Sequence, residues 1–356
     1  MSRKLLSATA MTLCLSSAAY ADVPAVAVDI APVHSLVARV MDGVGAPDLI
    51  IPPGASPHEY ALRPSEAAAI EGADLVFWVG ENMTPWLENA LDTLAADAAV
   101  TALLEADGTV LLDFREDALF EAHEHGDDDH DDHDDHGHDD EAKADHDDHG
   151  HDDHGHEDHA DADHDDHGHD DHDDHGDHDD HAGHDHGEHD PHAWLSPDNA
   201  ATWLNVIAAQ LSAADPENAG AYFANAAAAR AEMDALKAEI TATLEPVAGQ
   251  RFIVFHDAYQ YFEVAFDFPA SGAISIGDAA DPSPARIAEI QERIAEEGID
   301  CVLAEPQFNP GLVEVVLDGT VANSGVLDPL GSSLEPGAAL YPTLMRNLAG
   351  VLADCL

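Results

Sequence analysis

Between residues 121 and 190 the chain contains almost nothing that can be buried. All but four of the 26 histidines fall between His123 and His189, and 33 of the 73 acidic residues lie in 121–190. The hexapeptide HDDHGH recurs at 133–138, 146–151, 151–156 and 164–169. A segment of this kind cannot offset the entropy of being ordered, so it reads as a long disordered stretch. The fold must therefore be built from what lies on either side of it. The chain resumes with Pro191-His192-Ala193-Trp194-Leu195, an apolar element that needs the preceding residues to pack on. The tract is thus expected to be an insertion within the first lobe, not a linker.

Charge narrows the classes of partner. Twelve basic residues against 73 acidic ones leave a formal charge of −61. That argues against nucleic acid and anionic membrane, both of which need basic patches to meet phosphate. A hydrophobic fraction of 45% over 356 residues is enough for a sizeable core and about two domains.

The N-terminus points to export. Arg3 and Lys4 precede an apolar run over 5–18, followed by Ala19-Tyr20-Ala21. This is the arrangement of a secretory signal peptide cleaved after Ala21. The run is shorter than the ~20 residues a membrane-spanning helix needs. An ordinary N-terminal helix is the alternative. Cys14 leaves with the leader, so the mature chain keeps Cys301 and Cys355, 54 residues apart. In an oxidising compartment an isolated pair is expected as a disulfide, with two buried thiols as the alternative. No CxxC spacing supports a cysteine-based zinc site.

Outside the tract the pattern alternates strand and helix. Strands are expected at 25–30, 49–51, 74–79 and 100–104, and helices at 32–41, 65–71 and from Thr84-Pro85 to 95. After the tract, Ser196-Pro197 opens a helix to about 212. A second helical pattern runs over 216–244, with two stacked helices broken near 226–229 as the alternative. Alternation then restarts: strands at 251–255, 270–274, 301–304 and 325–327, helices at 257–266, 284–297, 310–317 and 342–353. Such alternation means parallel sheets with crossover helices. The expected fold is α/β: two (β/α)4-type lobes with parallel sheets joined by one long rigid helix. The expected organisation is a signal peptide over 1–21, an N-terminal lobe over 22–214 carrying the 121–190 insertion, a linker helix over 215–246 and a C-terminal lobe over 247–356.

Four histidines remain outside the tract. His58 lies in the loop after the second strand, His192 just after the tract, and His256 at the end of the strand RFIVFH. Ligands of open α/β sheets bind beyond the carboxyl ends of strands, so these three can converge in the cleft between lobes. Three neutral imidazoles with one carboxylate or water make a zinc-type shell, whereas manganese favours more oxygen. The preferred carboxylate is Asp328, in VLDPLG; Glu305, Glu59 and water are the other candidates, and an Asx turn before Pro329 is the alternative role for Asp328. His34, at a helix start, is expected to stand behind the site at most.

The segments GASPHEYALRPS, ADLVFWVG, PHAWLSP, FIVFHDAYQYFE, CVLAEPQFNP and VLDPLG, in this order, resemble those of the cluster A-I metal-binding proteins, the zinc-binding subunits of ABC uptake transporters. The resemblance covers the mature chain apart from the tract. It implies that His58, His192 and His256 bind metal between two lobes, and that a histidine at position 256, where manganese-binding relatives have glutamate, favours zinc. It further implies a Cys301–Cys355 disulfide, a periplasmic location and an ABC transporter permease as partner for a monomeric carrier of Zn2+. Each HDDHGH unit holds three imidazoles and two carboxylates, so the tract reads as an auxiliary metal-capturing segment. A solvated spacer and a contact with a partner are its alternatives. No HExxH or GxSxG is present, and the chain is not expected to be an enzyme; a zinc hydrolase is the remote alternative. A periplasmic zinc buffer or metallochaperone would use the same three histidines.

Overall fold

The structure is a computed structural model that describes residues 23–115, 189–275 and 282–356. The signal-peptide reading and nearly all of the histidine-rich tract fall outside the described residues.

Two four-stranded, all-parallel sheets carry the architecture. The first is formed by β1 (Val26–Val28), β2 (Asp48–Leu49), β3 (Leu75–Trp78) and β4 (Ala99–Ala102), in the order β2-β1-β3-β4. The second is formed by β5 (Phe252–His256), β6 (Gly272–Ser275), β7 (Cys301–Ala304) and β8 (Asn323–Val326), in the equivalent order β6-β5-β7-β8. The central strands are continuous apolar runs, as burial on both faces requires: LVFW in β3 and FIVFH in β5 are buried throughout. Helices α1 (Ala31–Val40), α2 (Pro64–Glu71) and α3 (Pro85–Leu94) belong to the first half, and α6 (Gln260–Phe266), α7 (Pro284–Glu297), α8 (Pro310–Leu317) and α9 (Leu340–Cys355) to the second. Between them stand α4 (Pro197–Ala214) and the long helix α5 (Ala219–Leu244).

Helix starts follow local chemistry. Ser196 and Ser283 each cap a helix whose first residue is proline, accepting from the backbone N–H three residues on. Thr84 stands at the cap position of α3, but its hydroxyl makes no capping bond and is buried without a partner. The two segments expected to be helical from 216 and from 257 begin three residues later, at Ala219 and Gln260. At the first, Asp215 is used sideways: its carboxylate takes the Asn218 amide and the Tyr222 hydroxyl, which holds 215–218 as a turn.

Helix α5 is unbroken over 26 residues, about 39 Å at 1.5 Å per residue. It packs on α4, α1 and α9, elements from both halves. Ion pairs reinforce each contact: Arg39 of α1 with Glu232, Lys237 with Asp198 of α4, and Arg346 of α9 with Glu239. One apolar cluster runs from the first sheet through α4, α5 and α9 into the second sheet. The halves thus share a core. The Cys301–Cys355 disulfide is present and joins the start of β7 to the end of α9. Among the described residues no helix is long and apolar enough to cross a membrane.

Candidate metal centre

Both sheets reverse their strand order between the first and third strands, β1/β3 and β5/β7. Crevices open at such switch points, outside the carboxyl ends of the strands. Each switch point here is stitched by a buried carboxylate. In the first sheet Asp29, just beyond β1, accepts the Val79 N–H from beyond β3 at 2.7 Å. In the second, Glu305, just beyond β7, accepts the N–H of His256 at the end of β5 at 3.2 Å. The same Glu305 oxygen lies 2.7 Å from His256 Nδ1.

His58, His192 and His256, from three distant segments, line one cavity together with Met83, Glu305 and Leu330. The His58 and His192 ring centres are 5.6 Å apart, and those of His192 and His256 are 5.3 Å apart. Two imidazoles on one tetrahedral zinc ion, with Zn–N bonds of about 2.0–2.1 Å, place their ring centres roughly 5 Å apart. The spacing therefore suits a shared ion. The nitrogens themselves do not yet converge: among the described residues no group of three His, Cys, Asp or Glu side chains is arranged to hold a metal as it stands. Among these side chains there is space for about one water or one ion.

Each histidine is held from behind. The His58 loop is pinned where Trp86 Nε1 donates to the Pro57 carbonyl at 2.7 Å, and Tyr60 leans on the same indole while its hydroxyl meets Glu66. Asp190 Oδ1 lies 2.7 Å from His192 Nδ1 and accepts the His192 N–H at 2.9 Å. His192 Nε2 is buried without a hydrogen-bond partner. His256 has Glu305 at Nδ1 and Phe308 against its ring. A carboxylate on Nδ1 directs the Nε2 lone pair outward and raises its basicity, the arrangement found behind metal-bound histidines. Across the cavity, Trp194 Nε1 donates to the Pro329 carbonyl, so the element after His192 is tied to the loop after β8.

Of the candidate oxygen ligands, Glu305 is at the cavity wall. Asp328 does not line the cavity; its carboxylate accepts the N–H groups of Leu330, Gly331 and Ser332 and the Ser332 hydroxyl, with Gly331 at a φ of 69°. That is the Asx-turn geometry. Glu59 is exposed and Glu305 holds His256. His34 points elsewhere, its Nε2 at the Pro47 carbonyl, and burial lowers its pKa. Sequence reasoning missed Asp190, although its position two residues before His192 is the signal that would have found it. It also missed Arg115, which bridges Asp257 and Glu263. Burial pushes Asp257 up to about 7 in spite of Arg115, with Glu263 and Asp190 adding repulsion.

Paired α/β lobes that share one bridging helix and bring three histidines to one cavity define a two-lobed solute-binding protein. The chain matches the family described as "Zinc-uptake complex component A periplasmic" over residues 26–355, and it belongs to that family. The "High-affinity zinc uptake system protein ZnuA" of Brucella abortus (strain 2308) is 47% identical over 331 residues, 93% of this chain and 91% of the relative. The protein of that name from Paracoccus denitrificans (strain Pd 1222) is 44% identical over 339 residues, 95% of this chain and 93% of the relative. The fold is also that of a solved ZnuA crystal structure, 19% identical with a TM-score of 0.67 over 94% of this chain and 99% of that one. The laminin-binding protein Lbp of Streptococcus pyogenes is 20% identical with a TM-score of 0.63, over 94% and 100%.

Proposed function

We propose that this chain is the periplasmic zinc-binding component of an ABC-type uptake system. It captures Zn2+ between its lobes with His58, His192 and His256 and hands it to the membrane permease. The observation that carries this reading is that three distant histidines line one cavity, two of them backed by buried carboxylates at Nδ1. The fourth position falls to water. As a ligand, Asp328 would have to give up the hydrogen bonds on the oxygen it used, those of Leu330 and Gly331 at Oδ1 or those of the Ser332 N–H and hydroxyl at Oδ2, each worth about 1.5–3 kcal/mol to a charged acceptor. Its role is to shape the loop that brings Pro329 and Leu330 to the cavity wall.

The reading is of a carrier, the role that the matched family's description as a zinc-uptake component names. The shared core and the α5 ties favour local adjustment over a wide swing of the lobes. Export with cleavage after Ala21 would deliver the chain to the periplasm, where the histidine-rich insertion adds weaker metal-capturing groups.

The test is a zinc titration against a competing chelator in a chain lacking the insertion. One tight site is expected, and replacing all three histidines with alanine abolishes it; tight binding that persists defeats the assignment. Zinc-edge absorption of wild type and Asp328→Asn then addresses the fourth ligand, and a changed first shell in the variant would restore Asp328 to it.

A further inference from the structure

We propose that Arg115 is a positioning residue for metal capture: it locks the foot of the histidine-rich insertion onto α6 and thereby keeps Asp190 aimed at His192. The inference rests on the zinc-binding reading above.

Arg115 precedes the insertion by a few residues, and its guanidinium is mostly buried. Nη1 donates to Asp257 Oδ1 at 3.0 Å and to Glu263 Oε1 at 3.3 Å, and Nη2 donates to Glu263 Oε2 at 2.7 Å. Asp257 directly follows His256, and Glu263 lies on α6. The two strands of the foot are joined to each other: Asp113 and His189 form an antiparallel bridge, and Asp190 N donates to the Leu112 carbonyl at 2.8 Å. Both are then fastened to α6. Tyr261 Oη accepts the Leu112 N–H and donates to the Asp190 carbonyl, each at 3.0 Å. Gln260, with its amide nitrogen facing the foot, donates to Asp190 Oδ2 and the Asp113 carbonyl, each at 3.1 Å.

The charges make Arg115 the keystone. Asp190, Asp257 and Glu263 are three buried or nearly buried carboxylates around one guanidinium. Removing the cation leaves three neighbouring acids with only hydrogen-bond donors such as the Ala270 N–H on Glu263 to offset their repulsion, a state that is relieved by moving them apart. Movement of α6 against the foot takes Gln260 and Tyr261 away from Asp190, and with them the register of Asp190 on His192 Nδ1. The two-pronged contact with Glu263 uses the planar fork of arginine, which a lysine cannot reproduce.

The experiment uses the full chain, with zinc as the probe. Chelator competition is read together with the 15N NMR signal of His192 Nδ1–H, assigned by its loss in His192→Ala. Arg115→Gln is expected to weaken zinc binding by less than removal of Asp190 itself, at most roughly 10-fold, and to shift or broaden that signal, because it acts through the supporting carboxylate and not on the histidine. Arg115→Lys restores only part of the loss. Tyr261→Phe, which removes one hydroxyl, changes both readouts in the same direction by less. An Arg115→Gln protein that is folded by circular dichroism, binds zinc like wild type and keeps the His192 signal overturns the proposal. Should Arg115→Gln not fold, unchanged affinity and signal in Tyr261→Phe overturn it instead. Failure of the zinc-binding reading itself looks different: wild type would then not bind zinc tightly, or His192→Ala would bind it equally well.

Discussion

A single oxygen of Asp190 accepts both the backbone N–H of His192 and a hydrogen bond from its ring at Nδ1, at 2.9 and 2.7 Å. One carboxylate oxygen therefore fixes the main chain and the side chain of the same residue. Glu305 does the same for His256, with 3.2 Å to the N–H and 2.7 Å to Nδ1. Two histidines from opposite halves of the molecule are thus prepared in the same way, with Nδ1 committed to a buried acid.

This repeated arrangement has a measurable consequence. Asp190→Ala and Glu305→Ala should each lower zinc affinity roughly 10- to 100-fold, although neither residue is proposed to touch the metal. Competition with a chelator of known affinity measures it. Wild-type affinity in both variants would mean that the carboxylates serve packing alone.

Removing residues 121–188 and joining the foot with a short flexible link should reduce zinc stoichiometry from several ions to one while the tightest site survives. The ligands of the insertion must order the chain as they bind, so they bind more weakly than a preformed site. Isothermal titration of the two proteins decides the matter, and equal stoichiometry would strip the insertion of a metal-binding role.

Asp29 controls a pH response of the fold. It is 0% exposed, and burial raises its pKa from 3.8 to about 7 against the hydrogen bonds from Val79 and Ile30. Between pH 4 and 7 the folded protein then holds a proton that the unfolded chain has lost. Stability from this group is fully present below pH 4 and declines as pH rises to 7, on the order of 4 kcal/mol in all. Asp29→Asn removes the titration. Urea unfolding of metal-free protein at pH 5 and 7.5 should find the variant gaining on wild type at the higher pH; parallel pH dependences would reject a neutral, buried Asp29. Asp257, raised in the same direction, is common to both proteins and cancels.

The disulfide closes a separation of 54 residues. Reduction, or Cys301→Ser with Cys355→Ser, should cost about 2–4 kcal/mol, the chain-entropy figure for such a loop being roughly 4. Because α9 packs on α1 and α5 while β7 lies in the second sheet, the loss should appear as a lower unfolding midpoint of the whole molecule. Coincident midpoints for oxidised and reduced protein would assign the bond no thermodynamic role.

Much of this was legible one residue type at a time. Continuous apolar runs such as LVFW and FIVFH, punctuated by Ser-Pro helix starts, report local preferences, so they determined the α/β alternation and the parallel sheets. The start of α5 was not legible, because Asp215 spends its carboxylate on Tyr222 and Asn218 and holds a turn. Likewise Asp328 reads as a candidate ligand from its place after a strand, and only the folded loop commits it to three consecutive N–H groups. The chain alone supplied the three histidines and the two cysteines. The tertiary structure decided which acid stands behind which imidazole, as with Glu305 and His256, 49 residues apart. Spacing along a chain constrains only neighbours within a turn or a strand, whereas a contact of that range exists only once β5 and β7 lie side by side.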